Sequence, residues 1–198
     1  MFARVNLPNM LTFSRLVLTV AFVIVVSWKS ATHYGIGLAL FSIAAITDFL
    51  DGWLARRMGL ITPLGKLMDP LVDKILVCAA FVFFSAKDIC PVWVTALILG
   101  REFLVTGLRQ VAIEAGEVLA ADQLGKWKTT FQLTYLITGL VWLTFANIQY
   151  PGALANFLVW LAAPDGWLMV ISLWAAVALT VVSGYHYFHN SRHLLFGR

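Results

Sequence analysis

Four aspartates stand close together in a chain otherwise poor in charge: Asp48-Phe-Leu-Asp51-Gly52-Trp-Leu-Ala55-Arg56, then Gly65-Lys-Leu-Met-Asp69-Pro-Leu-Val-Asp73. Asp48 and Asp51 are three residues apart, and Asp69 and Asp73 four, so on helices each pair shares one face. Carboxylates gathered in apolar surroundings repel one another and lose hydration, so they must protonate or bind cations. Two divalent ions would offset four negative charges, and all-oxygen ligation suits Mg²⁺, Mn²⁺ or Ca²⁺. Gly52 and Ala55 remove bulk along the Asp48/Asp51 face and let a ligand approach. Small residues also pack membrane helices with no ligand at all. Arg56 at the same end can pair with a phosphate or with an aspartate. Pro63 and Gly65 read as turn residues, and Pro70 suits the first turn of a helix, where its missing N–H costs little.

The elements that must position these groups follow from composition. Of 198 residues 61% are hydrophobic and 12% charged, with mean hydropathy +0.85. A water-soluble domain carries about 25% charge, so lipid is the better solvent for this chain. A helix needs about 20 mainly apolar residues to cross a bilayer. Six segments qualify: Pro8–Trp28, His33–Arg57, Met68–Phe84, Pro91–Glu114, Trp127–Ile148 and Pro164–Phe188. The third is short and must begin with Asp69 and Asp73 at the membrane surface. The expected fold is an all-α integral membrane protein of six transmembrane helices, forming a single domain over residues 1–198. The first apolar run reads as a retained helix rather than a cleaved signal. Tyr150–Ala163 is apolar but punctuated by Pro and Gly, and reads as an outer interfacial loop or an extension of a neighbouring span.

Six crossings put both termini on one side. That side receives Arg4, Arg15, Arg56, Arg57, Lys66, Lys74, Lys126, Lys128, Arg192 and Arg198, against Lys29 and Lys87 on the other. The excess of cations marks the cytoplasm, so the aspartates face it too. The same distribution accounts for the net charge of +4 and pI near 9.3 without nucleic acid, since no basic stripe forms. Cys78 and Cys90 lack metal-ligand spacing and read as small buried hydrophobes. His186, His189 and His193 read as interfacial residues flanking the last span, and Trp28, Trp127 and Trp167 as interfacial aromatics.

The aspartate segment resembles the CDP-alcohol phosphotransferase family, whose signature D-x2-D-G-x2-A-R-x8-G-x3-D-x3-D is met at Asp48, Asp51, Gly52, Ala55, Arg56, Gly65, Asp69 and Asp73. Outside the signature, Asn6-Leu-Pro8-Asn9-Met-Leu-Thr12-Phe-Ser-Arg15, Arg101-Glu102-Phe103 and Gly125-Lys126-Trp-Lys128-Thr129 resemble the bacterial branch that makes phosphatidylglycerophosphate. The resemblance implies a six-helix membrane fold in the bacterial cytoplasmic membrane, a two-metal site filled by Mg²⁺ or Mn²⁺, and often a homodimer. It implies that Asp48, Asp51 and Asp69 hold metal, that Asp73 shares it and acts as base, and that Gly52, Ala55, Arg56 and Gly65 receive the CDP-lipid. The implied reaction moves the phosphatidyl group of CDP-diacylglycerol to the 1-hydroxyl of glycerol 3-phosphate, releasing CMP. Other acceptors (inositol phosphate, serine, phosphatidylglycerol) define sister enzymes, and a cation transporter using the four aspartates is a remote alternative.

A phosphorylated acceptor needs cations beyond the metals. Arg101 and Arg109 are eight apart, about two helical turns, and so share a face of the fourth span. Buried arginines need partners; pairing with Glu102 or Glu114 is one outcome and the acceptor phosphate another. Arg109 is the favoured ligand, with Arg101 near it and Lys126 and Lys128 at the membrane surface beside it. Arg15 could lie below the CDP site or serve only as a cytoplasmic charge.

Overall fold

The computed structural model describes residues 7–58, 63–116 and 123–196, with side chains at 13–47, 72, 74–116 and 123–192. Seven helices and no strands are found among them: α1 (Leu7–Val26), α2 (Ala31–Met58), α3 (Pro63–Ala86), α4 (Val92–Glu114), α5 (Gln123–Ala146), α6 (Ala153–Leu161) and α7 (Trp167–Phe196). Apart from α6, each has 20 to 30 residues. At 1.5 Å per residue these are roughly 30–45 Å long, enough for a hydrocarbon core of about 30 Å. By length and composition α5 and the Trp167–Arg192 part of α7 qualify as membrane-capable among the described residues, and shorter apolar runs lie on α1, α2 and α3.

Contacts at named levels fix how the helices run. Phe22 of α1 meets Phe41 of α2 at 5.7 Å between ring centroids, and Tyr34 of α2 meets Phe83 of α3 at 6.3 Å. The end of α1 and the end of α3 therefore lie beside the start of α2. Trp93 of α4 packs on Trp174 of α7, and further along Arg101 reaches Ser183 and Arg109 reaches Tyr187, so α4 and α7 run parallel. A parallel pair three helices apart in sequence requires one intervening helix that does not traverse the bundle. That helix is α6. Its nine residues reach only about 14 Å. It packs on α5 with Ala155 buried and Leu154, Phe157 and Trp160 exposed. The segment 150–163, expected as a loop or an extension, is thus a separate short helix.

The core is aromatic and lies where α2, α3 and α5 converge. Tyr135 stacks on Phe81, meets Phe84 edge-on and donates its hydroxyl to the Ile89 carbonyl at 2.9 Å. Gly139, one turn on, has no side chain because a Cβ there would fall 2.3 Å from the Phe84 ring. Phe84 is fully buried and cannot swing away. Small residues allow this close approach between membrane helices. Outward, Val17, Val20 and Ile24 on α1, Ile36, Ile43 and Ile46 on α2 and Ile171, Trp174, Val181 and Val182 on α7 are all exposed. An apolar exterior this extensive belongs against lipid or a partner, not water. Trp28, Trp127 and Trp167 are exposed at helix ends, as interfacial tryptophans should be. Both cysteines are free, with Cys90 buried and its thiol pKa pushed up by burial.

Several boundaries differ from the sequence expectation. α3 begins at Pro63, not Met68, because proline at the first helical position has a preset φ and loses no intrahelical bond. Gly65 is therefore helical rather than a turn. Pro70 lies inside the helix, where it leaves the Lys66 carbonyl without its usual N–H donor. α7 continues past the expected span to Phe196, so the last three histidine positions all lie on this helix. α4 ends where expected, at Glu114, and two residues on Gly116 has φ +78°, the left-handed conformation glycine supplies just past a helix C-terminus.

Gly139→Val should lower the thermal midpoint of the detergent-solubilised protein, reflecting a loss of about 1–3 kcal/mol from overpacking. Gly107→Ala, where an added Cβ meets nothing within 4 Å, should leave it level or slightly raised.

Candidate active site

The aspartate positions lie on α2 and α3, and the four side chains are outside the described residues, as are those of Gly52, Ala55, Arg56 and Gly65. Their depth along the helices is nonetheless defined by the backbone. Asp48 lies fourteen residues beyond Tyr34, and Asp69 fourteen before Phe83, so each is about 21 Å from the Tyr34–Phe83 contact. The two pairs therefore occupy the same level of antiparallel helices. Asp69 and Asp73 stand six and ten residues into α3, about 9 and 15 Å from its start, recessed rather than at the end of the helix. The earlier start of α3 is the reason. Among the described residues α2 and α3 touch sparingly, and α1 packs extensively against both.

Next to Asp73 in the chain begins a polar cluster centred on Glu102. Lys74 of α3 donates to Glu102 Oε2 at 2.9 Å, Lys128 of α5 donates to Glu102 Oε1, and the Arg101 guanidinium lies 3.5 Å from Oε1. Glu102 is 4% exposed and Lys128 3%. One carboxylate thus serves cations from three helices. Ion pairs this deep depend on full pairing, because an uncompensated buried charge costs several kcal/mol, about 3–5 where one partner is removed. Arg101 also donates to Ser183 Oγ at 3.0 Å, and its stem lies 3.3 Å from where a Cβ of Gly184 would be.

Arg101 and Arg109 do share a face of α4. Both lie over the Tyr187 ring, with Cζ at 5.7 and 5.2 Å from its centroid, and Arg109 also donates to the Tyr187 hydroxyl. Arg109 is exposed, not buried, and no ion pair to Glu114 is found among the described residues. Lys126 is exposed as expected. Lys128 is not at the surface: α5 begins at Gln123, so Lys128 lies more than a turn inside and faces Glu102. Arg15 is likewise buried, with Thr19 donating to its carbonyl. Gln132, one turn beyond Lys128, is 2% exposed and its Nε2 has no hydrogen-bond partner among the described residues.

Sequence reasoning misses Lys74 as a member of this cluster and the burial of Gln132. Lys74 reads as one more cytoplasmic charge, and Gln132 as an ordinary polar residue in an apolar span. A usable signal for Lys74 was its place inside the helix, directly after Asp73, with apolar residues following. Nothing in the sequence marks Gln132.

A family model described as CDP-alcohol phosphatidyltransferase matches residues 5–182. A CDP-diacylglycerol–glycerol-3-phosphate 3-phosphatidyltransferase of Bacillus subtilis is 38% identical over 94% of this chain and 95% of its own. Proteins of the same name from Rickettsia typhi and Salmonella paratyphi A are 32% and 35% identical, over 92% and 86% of this chain and 95% and 90% of their own.

The two arginines and Tyr187 yield a test of the packing. Tyr187→Phe keeps the ring beneath both guanidinium groups and loses one charged hydrogen bond, about 1.5–3 kcal/mol. Tyr187→Leu loses the ring as well and should melt lower than Tyr187→Phe in a thermal scan in detergent.

Proposed function

We propose that this chain, which belongs to the CDP-alcohol phosphatidyltransferase family, transfers the phosphatidyl group of CDP-diacylglycerol to sn-glycerol 3-phosphate, giving phosphatidylglycerophosphate and CMP. The observation that supports the choice of acceptor is the cluster of Lys74, Arg101 and Lys128 gathered on Glu102, which begins at the residue after Asp73. Serine carries no phosphate to meet it. Phosphorylated acceptors do, and the names of the relatives favour glycerol 3-phosphate.

Attack by the acceptor's 1-hydroxyl forms an O–P bond at the β-phosphorus and breaks the bond to CMP. Asp73 accepts the hydroxyl proton. Arg109 at the exposed end, with Lys126 near it, draws in the acceptor phosphate, and Arg101 and Lys128 hold it deeper. Gly52, Ala55, Arg56 and Gly65 receive the CDP moiety. Mg²⁺ or Mn²⁺ held by Asp48, Asp51, Asp69 and Asp73 would neutralise the diphosphate and stabilise charge gathering at phosphorus. The oxygen donor set suits those ions, and the equal depth of the two aspartate pairs suits a shared site. Recession of Asp69 and Asp73 from the helix end helps keep water from the phosphorus.

In this reading α1 to α5 and α7 cross the bacterial cytoplasmic membrane, α6 lies at the outer face, and both termini are cytoplasmic. Discounting Arg15, Lys74 and Lys128, which are buried or tied to Glu102, the cytoplasmic side still carries seven cations against two. The parallel course of α4 and α7 supports the same count of crossings. The apolar exterior would also serve a homodimer.

The purified protein in detergent should release CMP only when CDP-diacylglycerol, glycerol 3-phosphate and Mg²⁺ or Mn²⁺ are all present, and chelation should abolish release reversibly. Metal-independent release would remove the two-metal assignment. Asp69→Asn and Asp73→Asn should each cut kcat by at least about a hundredfold with the thermal midpoint preserved; near-normal kcat in either would remove the role given to that residue. For topology, single cysteines at Lys29 and Lys87 should label from outside intact cells and one at Lys126 should not. The reverse pattern would invert the orientation.

A further inference from the structure

We infer that Glu102 is a positioning residue for the acceptor site, fixing Lys74, Arg101 and Lys128 in one array so that the acceptor phosphate is received at a set distance from Asp73. The inference rests on the reaction proposed above. Both carboxylate oxygens are committed: Oε2 to Lys74, Oε1 to Lys128 and Arg101. The three cations come from α3, α4 and α5, and the same guanidinium continues to Ser183 on α7. Four helices thus meet through one carboxylate.

Electrostatic attraction alone gives no reason for Glu102 to be there. A carboxylate among cations that must attract a phosphate lowers the local charge from three to two and weakens the pull on the anion. What it supplies instead is place. Long flexible lysines held to a buried carboxylate lose their rotamer freedom before the acceptor arrives, so less entropy is lost on binding. Lys74 directly follows Asp73, so holding the Lys74 ammonium also limits how α3 can rotate and where the preceding residue stands. α3 and α5 meet through Tyr135 and Gly139 against Phe81 and Phe84 at the far end, and the Glu102 bridge from Lys74 to Lys128 is a polar tie between them nearer Asp73.

Charge neutralisation and positioning separate on substitution. Glu102→Asp keeps the charge and withdraws the carboxylate by one methylene. Glu102→Gln keeps the shape and removes the charge. Initial rates of CMP release would be measured for the parent and both variants, varying CDP-diacylglycerol and the acceptor the parent uses in separate series. Glu102→Asp is expected to raise the acceptor KM at least fivefold and Glu102→Gln at least tenfold. The KM for CDP-diacylglycerol should stay within twofold in both. A parent-like acceptor KM in Glu102→Asp would make the carboxylate a charge balance only and overturn the inference, as would equal rises in both KM values. Failure of the parent to use glycerol 3-phosphate would instead count against the proposed reaction, while the variants still test Glu102 with the acceptor that does work.

Discussion

Charge inside an apolar bundle persists only when it is paired and hydrogen-bonded, and in the described part of this chain that condition is met around Glu102. Its carboxylate is buried among Lys74, Arg101 and Lys128, and the last two are themselves largely buried. Removing any partner leaves charge without compensation, so the four groups hold one another and, through them, the helices that carry them. The aromatic core around Tyr135 and Phe84 packs one end of the bundle, and the ionic cluster organises the interior nearer the aspartates. One end is fixed by shape, the other by charge.

That division follows from what lipid can and cannot do as a solvent. Lipid accepts the exposed apolar rows on α1, α2 and α7 at no cost, so helix exteriors need no polar face. It provides no hydrogen bonds, so polar side chains turn inward and find one another: Arg101 with Ser183, Lys128 with Glu102, Ser85 with Thr95. A soluble protein of this size would place most such groups outside. Here they line the interior, where substrates bearing phosphate must be met.

Much of this was legible in the chain. The apolar runs gave six long helices, because a period of apolar residues long enough to span lipid admits few other structures. The aspartate spacings place each pair within about one helical turn, and the backbone of α2 and α3 carries the two pairs at the same level. Pro63 and Pro70 were harder. Both suit a first turn, and only the observed start of α3 assigns that role to Pro63. Tyr150–Ala163 was ambiguous because nine helical residues fall below what hydropathy can separate from a loop. Lys128 is buried where a surface position is expected, because a lysine near a span end reads as a surface charge and its partner, Glu102, lies 26 residues away. Pairings across helices leave no local trace in sequence. Long-range ion pairs are therefore what a single chain conceals best.

In the proposed reaction the cations held by Glu102 receive a phosphorylated three-carbon alcohol at a phosphatidyl-transfer site. The most direct measurement supplies purified protein with CDP-diacylglycerol and an equimolar mixture of glycerol 3-phosphate, inositol phosphate and serine, and identifies the lipid products by mass. Phosphatidylglycerophosphate as the dominant product is the predicted result. A dominant product carrying serine or inositol phosphate, formed by the same folded protein, would contradict it.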